Sequence, residues 1–408
     1  MANESANDTT SKKGDEVSSW ADLMAALSPV VDRLLAVWRP DGATPAECQD
    51  MNRLALSILS EGYLCRVYSD ASRPVFMPLW NYAFNQGGPS PDYVYSTTEV
   101  DGRGVYRLSG YRGTSRFVEI TQQTFDMMSP SQVENGSRVP ATHDLDDLAL
   151  ASDGSFSVVL SAKRPAGYTG DWWMLDGETR RLLMRKCSCD WNHEVDASVA
   201  IERLDDGGSD MSPEEIGRRL ADLPEWIEGM IGFDMHLVRF YREHHGINTF
   251  LRSTKIDSIG GLPTQAYYDG IHEIDDDEAL IIETELPKEV RYWQALVADD
   301  RFATVDWVNR QSSLNDVQAH IDSDGRFRAV ISKQDPGVPN WLDKADVPWG
   351  MIQMRWNHAS DFPDPSMIKV PVAEVRTYLP PDTPVVTTQE RAAQLRSRRE
   401  GAQLRRIW

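Results

Sequence analysis

Between Trp293 and Trp356 the chain gathers an unusual density of side chains able to hold or transform a small molecule: Trp293, Arg310, Asn315, His320, Asp335, Asn340, Trp341 and Arg355, with His358 just beyond. His320 with Asp335 supplies a base and a carboxylate to orient it, the minimum for acid/base chemistry of hydrolase or lyase type. Trp293, Asn315, Asn340 and Trp341 offer rings for stacking and amides for directional hydrogen bonds, as a sugar or a flat organic ligand requires. Arg310 and Arg355 can hold a carboxylate, phosphate or sulfate through paired hydrogen bonds. Burial separates two readings of these residues. An open pocket lined by Arg310, Asn315, Asn340 and Trp341 fits ligand binding, whereas full packing fits an assembly module.

A second constellation is Cys187-Ser188-Cys189 with His193. On a strand the two thiols share a face, and thiolate with imidazole suits zinc. A fourth ligand is not evident, although Asp190 and His236 are candidates. No cofactor is expected, and a zinc enzyme is the alternative. His244-His245 diverge on a helix, and Asp275 to Glu278 lacks the spacing of a calcium loop. The glycine-rich dinucleotide and P-loop signatures, Gly-x-Ser-x-Gly and His-Glu-x-x-His are all missing, so those chemistries have no support.

The elements that must position these residues are read from periodicity. Apolar residues from Trp20 to Val37 and from Met51 to Leu59 recur at helical spacing, predicting a helical hairpin within 18–90. Short β-branched and aromatic runs between turns predict a β-sandwich over 91–211 and a second over 261–385. Ser212-Pro213 opens a helical connection assigned to 212–260, residues 1–17 are expected to be a disordered tail, and 386–408 a basic terminal helix. The two β stretches repeat each other. Ser152-Asp153-Gly154, Asp171-Trp172 and Trp191-Asn192-His193 correspond to Ser323-Asp324-Gly325, Asn340-Trp341 and Trp356-Asn357-His358. The fold class expected is mainly β, with two tandem antiparallel sandwiches of jelly-roll type plus the N-terminal hairpin.

The second copy resembles the bacterial family called domain of unknown function 1214. Tyr292-Trp293, Arg310 to Asn315, Ser323-Asp324-Gly325, Asp335 to Asp343 and Arg355-Trp356 carry the resemblance. It implies a β-sandwich fold with no agreed activity, and a related jelly-roll partner domain before it.

The chain has 408 residues and a formal net charge of −21. That acidity excludes general binding to nucleic acid and to anionic membranes. With no signal-like apolar core, no span-length apolar run and only four cysteines, a cytoplasmic protein is expected. Its basic C-terminal tail can clamp within the chain or onto a second copy, which leaves a homo-oligomer open. The function expected is binding of a small organic ligand by the tandem sandwiches, either between them or at the mouth of the second. Chemistry there would be cofactor-independent, on a glycoside-like or polar-aromatic substrate.

Overall fold

The computed structural model describes residues 17, 19–124, 138–207, 211–253 and 261–407, so the expected tail at 1–17 lies outside the described residues except for its last position. The N-terminal hairpin is present with one difference. Pro29 cannot donate to a helical ladder, and it splits the first predicted helix into α1 (Trp20–Leu27) and α2 (Val30–Trp38). Helix α3 (Pro45–Gly62) starts at a Thr44–Glu47 capping box, with Pro45 in its first turn.

Nine strands form the first β unit: β1 (Met77–Leu79), β2 (Tyr93–Glu99), β3 (Tyr106–Tyr111), β4 (Phe117–Gln123), β5 (Thr142–Asp144), β6 (Ser155–Ser161), β7 (Asp171–Met174), β8 (Arg181–Cys187) and β9 (Ser198–Arg203). Helices α4 (Pro213–Ala221) and α5 (Leu223–His244) follow. The second unit comprises β10 (Phe250–Ser253), β11 (Gln265–Glu273), β12 (Glu278–Thr284), β13 (Tyr292–Val297), β14 (Ser313–Asn315), β15 (Phe327–Ser332), β16 (Trp341–Asp343), β17 (Trp349–Asn357) and β18 (Ser366–Pro371). Helix α6 (Thr388–Leu404) ends the described chain. Strands β1 and β10 thus extend the two units on their N-terminal sides beyond 91 and 261.

Topology makes the repeat explicit. The first unit stacks a sheet of order β1-β2-β8-β4-β5 on one of order β7-β6-β3-β9. The second has β10-β11-β17-β13-β14 and β16-β15-β12-β18, the same orders with nine added to every strand number. Pairing is antiparallel except where β7 joins β6 and β16 joins β15 in parallel, a departure from the expected all-antiparallel sheets shared by both copies. Register corrects one sequence landmark. Cys187 lies opposite Tyr93 and Phe117 as Asn357 lies opposite Gln265 and Tyr292, so Lys186, not Trp191, is the counterpart of Trp356.

Each sandwich has its own apolar core. Leu108, Val118, Ile120, Val158, Leu160, Leu182 and Met184 fill the first; Leu280, Ile282, Ala295, Phe327, Ile331, Ile352 and Met354 fill the second. A third core mixes α2, α3 and α5 with Leu79, Tyr93, Tyr95, Phe117, Leu183 and Tyr292, so the helices cover the region where the two units face one another.

Candidate ligand site between the two sandwiches

Most of the residues singled out near Trp293 are walled in. The Trp293 ring packs 4.7 Å from Phe327 and 5.9 Å from Trp356, within the second core. Buried Trp341 donates its indole N–H to Ser332 Oγ at 3.1 Å, as Trp172 donates to Ser161 Oγ at 3.0 Å in the first unit. The repeat, not a ligand, accounts for that tryptophan. Asn340 braces a loop, accepting from the His320 N–H and donating to the carbonyls of His320 and Arg328. Asn315 gives its amide N–H groups to Asp92 and to the Cys189 carbonyl and accepts from two turn N–H groups. The mouth of the second sandwich is therefore filled, and the open pocket expected there is not formed.

His320 and Asp335 are not brought together either. Asp335 accepts from Arg391 of α6 at 2.9 Å, while His320 Nε2 lies 3.7 Å from Asp322. Arg310, half exposed and paired with Asp343 at 2.8 Å, lines a cleft of about 860 Å³ against α3, away from the others. The alternative zinc grouping is also dispersed. Cys187 and Cys189 are buried free thiols, whereas the His193 side chain is 82% exposed and bonded to Asp190. Among the described residues no group of three or more His, Cys, Asp or Glu could hold a metal.

Arg355 is the exception. Each five-stranded sheet packs one face into its own sandwich and presents the other, also buried, toward its counterpart. Strand alternation puts Tyr93, Phe117 and Cys187 in one row of that second face and Tyr95, Glu119 and Arg185 in the next. The facing sheet carries Gln265, Tyr292 and Asn357, then Tyr267, Gln294 and Arg355, at equivalent positions. The sheets meet along the first rows. Tyr93 donates to Gln265 Oε1 at 2.7 Å, and the Tyr292 ring lies 5.5 Å from Tyr93 and 5.9 Å from Phe117.

The second rows hold an unusual electrostatic arrangement. Arg355 is 4% exposed, donates through Nε to Gln353 Oε1 and through Nη2 to the Gly88 carbonyl, each at 2.7 Å, and forms no ion pair among the described residues. A buried guanidinium without an anionic partner is costly. The acid Asp269 is linked to it through Gln353 and is itself pushed upward by burial, which favours its neutral form. Tyr93 and Tyr267 lie under the cation at 6.0 and 5.7 Å.

Donors around Arg355 outnumber their acceptors. The hydroxyls of Tyr95 and Tyr267 accept from the Ser90 and Leu262 N–H groups, and no described acceptor takes their own protons. Burial raises the Tyr95 hydroxyl above its ordinary range, so the proton stays. Gln265 Nε2 is buried and unpartnered. Two acceptors, Gln294 Oε1 and Asn357 Oδ1, are also orphaned in these rows. Such groups are rare in folded proteins and call for a partner.

The two ends of this seam differ. At one, buried Asp92 accepts from Trp191 at 2.8 Å, Asn315 at 2.7 Å, Tyr292 at 2.8 Å and Gln294, and its carbonyl accepts from Arg405 at 2.8 Å. Helix α6 and the residue that caps it close this end through three arginines spaced seven residues apart. Arg391 holds Asp335 and Gln311, Arg398 holds Ser313 and the Trp307 carbonyl, and Arg405 holds Asp196 at 3.0 Å. Gly401 permits the approach, since a Cβ there would meet Trp191 at 2.9 Å. The basic tail is therefore a clamp within the chain.

At the other end the repeat puts Thr264 where Asp92 stands, and Glu119 where Gln294 stands. Thr264 Oγ1 lies 3.2 and 3.3 Å from the two Glu119 oxygens, and His358 Nε2 lies 3.2 Å from Oε1. Glu119 is buried, whereas the His358 side chain is 46% exposed. His358 holds a left-handed backbone, φ +47°, which a non-glycine residue adopts at a cost.

Residues 273–356 match the family described as Protein of unknown function (DUF1214). The DUF1214 segment contains Tyr292, Gln294 and Arg355 but none of the facing rows of the first unit. A crystal structure of an uncharacterised protein from Burkholderia cenocepacia is similar with a TM-score of 0.78 and 25% identity, covering 87% of this chain and 97% of that one. The tandem architecture is thus found in a second protein. A Vibrio parahaemolyticus structure, 15% identical over 78% of this chain and 98% of its own, reaches a TM-score of only 0.42. No curated protein matches the chain. No helix among the described residues is long and apolar enough to cross a membrane.

Sequence reading named Arg355 but missed Tyr95, Tyr267, Gln265 and Glu119. Their signal was alternation of polar and aromatic residues in strands whose intervening residues are apolar, as in Tyr93-Val94-Tyr95 and Phe117-Val118-Glu119-Ile120.

Proposed function

We propose that this protein binds a small polar aromatic acid in the seam between its sandwiches. The carrying observation is the buried Arg355 guanidinium, which has no anionic partner and no Nη1 acceptor among the described residues, amid donors that lack described acceptors. A carboxylate would accept from Arg355, Gln265 Nε2 and the two tyrosine hydroxyls, while the tyrosine rings border a flat body. A ligand hydroxyl would serve Gln294 Oε1 or Asn357 Oδ1. The preponderance of donors favours an acid over a neutral glycoside. Four free thiols accord with a cytoplasmic setting.

The test is calorimetric titration and thermal shift with benzoate, 4-hydroxybenzoate and phenylpyruvate, against benzamide and an aryl glucoside as neutral arms. Acids should bind and raise the Tm. Arg355→Lys keeps the charge but loses the planar fork, and should weaken binding at least about tenfold. Equal binding of acid and amide, or unchanged affinity in Arg355→Lys, overturns the reading. Absence of any shift would favour an assembly module.

A further inference from the structure

We infer that the stretch from Trp80 to Gly88, between β1 and β2, is a latch on Arg355, held shut by two buried carboxyl groups and released as they lose their protons. What it would regulate rests on the ligand site proposed above, whereas the latch itself stands on other residues.

Glu61 near the end of α3 and Asp234 in α5 are 0% and 1% exposed. Glu61 Oε1 accepts the Trp80 N–H at 3.1 Å. Between the two acids lies the buried Gln86 amide. In the orientation that satisfies its neighbours it donates to Asp234 Oδ2 at 2.8 Å and accepts from Trp80 Nε1 at 2.6 Å. Its oxygen then stands 3.5 Å from Glu61 Oε2, and two oxygens meet there without a donor unless Glu61 carries a proton. Asp234 Oδ1 has no hydrogen-bond partner among the described residues. The titratable and charged groups facing the pair are Cys65 and Arg181 on the Glu61 side and Asp299 on the Asp234 side. Burial pushes Glu61 up to about 8 against the pull of the Trp80 N–H and Arg181, and it holds Asp234 well above the usual carboxylate range, with Glu61 and Asp299 adding to the effect. Cys65, pushed up to about 12, stays a neutral thiol.

The stretch itself holds no helix or strand and has three left-handed residues, Trp80 at φ +42°, Gly87 at +71° and Gly88 at +57°. For Trp80 that conformation is strained, which works against the closed form. Its fastenings to the second unit are neutral. Asn85 exchanges bonds of 2.7 and 3.0 Å with the Thr304 backbone, and the Gly88 N–H donates to the Phe302 carbonyl at 2.7 Å. The Gly88 carbonyl is the acceptor for Arg355 Nη2, so opening frees that edge of the guanidinium. Ionising either acid puts a negative charge in a buried site, and ionising both sets two such charges about one amide. Opening to water returns the acids to their ordinary range, so its equilibrium constant rises with pH between the open and closed values, for Glu61 from 4.5 to about 8.

The experiment is amide hydrogen exchange followed by mass spectrometry, corrected at each pH for the intrinsic rate. Protection of residues 80–88 should fall at least about tenfold from pH 6 to pH 8.5, while that of β2 and β8 stays constant. Glu61→Gln with Asp234→Asn keeps both shapes without the charge and should abolish the change; Glu61→Gln alone should shrink it. The association rate of 4-hydroxybenzoate, measured by stopped flow, should rise with pH in wild type and not in the double variant. Protection of 80–88 that ignores pH, or that falls equally in the double variant, overturns the latch. Protection that falls as expected with no aromatic acid binding keeps the latch and removes the ligand site, and binding with protection that ignores pH does the reverse.

Discussion

The two ends of the seam descend from equivalent positions and have become opposites. Where the repeat places Asp92, Gln294 and Asn315, every oxygen of Asp92 is bonded and α6 lies across the junction. Where it places Thr264, Glu119 and Asp144, a half-exposed histidine stands at the rim. A duplicated fold supplies two equivalent junctions, and here one is closed around a carboxylate whose oxygens are all bonded while the other has a half-exposed histidine at its rim. Polar residues shared by two repeats thus need not share a role: a full set of partners marks structure, and an incomplete set marks a place for something else.

The largest test of that contrast is Asp92→Ala. It leaves the donors of Trp191, Asn315, Tyr292 and Gln294 facing no acceptor in a buried site, and should cost about 3–5 kcal/mol in urea denaturation. A loss below about 1 kcal/mol would make the two ends energetically alike. Next is Arg405→Ala, which strands Asp196, only 10% exposed, without its cation. About 2–4 kcal/mol is expected from the same measurement. The smallest effect belongs to His358→Ala, below about 1 kcal/mol because the pair is partly solvated. Its size depends on pH. The folded state raises His358 above 6.5, so its contribution is complete below that value and is lost as pH rises through the folded value. The Tm difference between wild type and His358→Ala should therefore be larger at about pH 6 than at about pH 8.5, and a difference independent of pH would remove the Glu119 contact from the account.

The fold was largely legible because its signals are local. Ser-Asp-Gly turns, Pro213 after Ser212 and the apolar periodicities around Trp20 and Met51 each act within a few residues. What escaped depended on contacts across some 200 positions. Tyr93 with Gln265, Glu119 with His358 and Asp92 with Asn315 meet only when the two sandwiches assemble. Arg355 could be listed as a candidate from its residue type, yet nothing in its neighbourhood distinguished it from Arg310, which turned outward to Asp343. The match of Trp191 to Trp356 misled for a related reason: tryptophan suits both a sandwich interior and a domain seam, and only strand register tells them apart.

The arginines of α6 and its cap bear on the order of assembly during synthesis. Residues 388–407 leave the ribosome after every segment they touch, by which time the first sandwich, complete by Arg203, has long emerged. Domains generally fold as units as they appear, so each sandwich can close around its own core while the junction still lacks its final cations. Joining of the two halves then follows the closure of each, as Arg391, Arg398 and Arg405 settle.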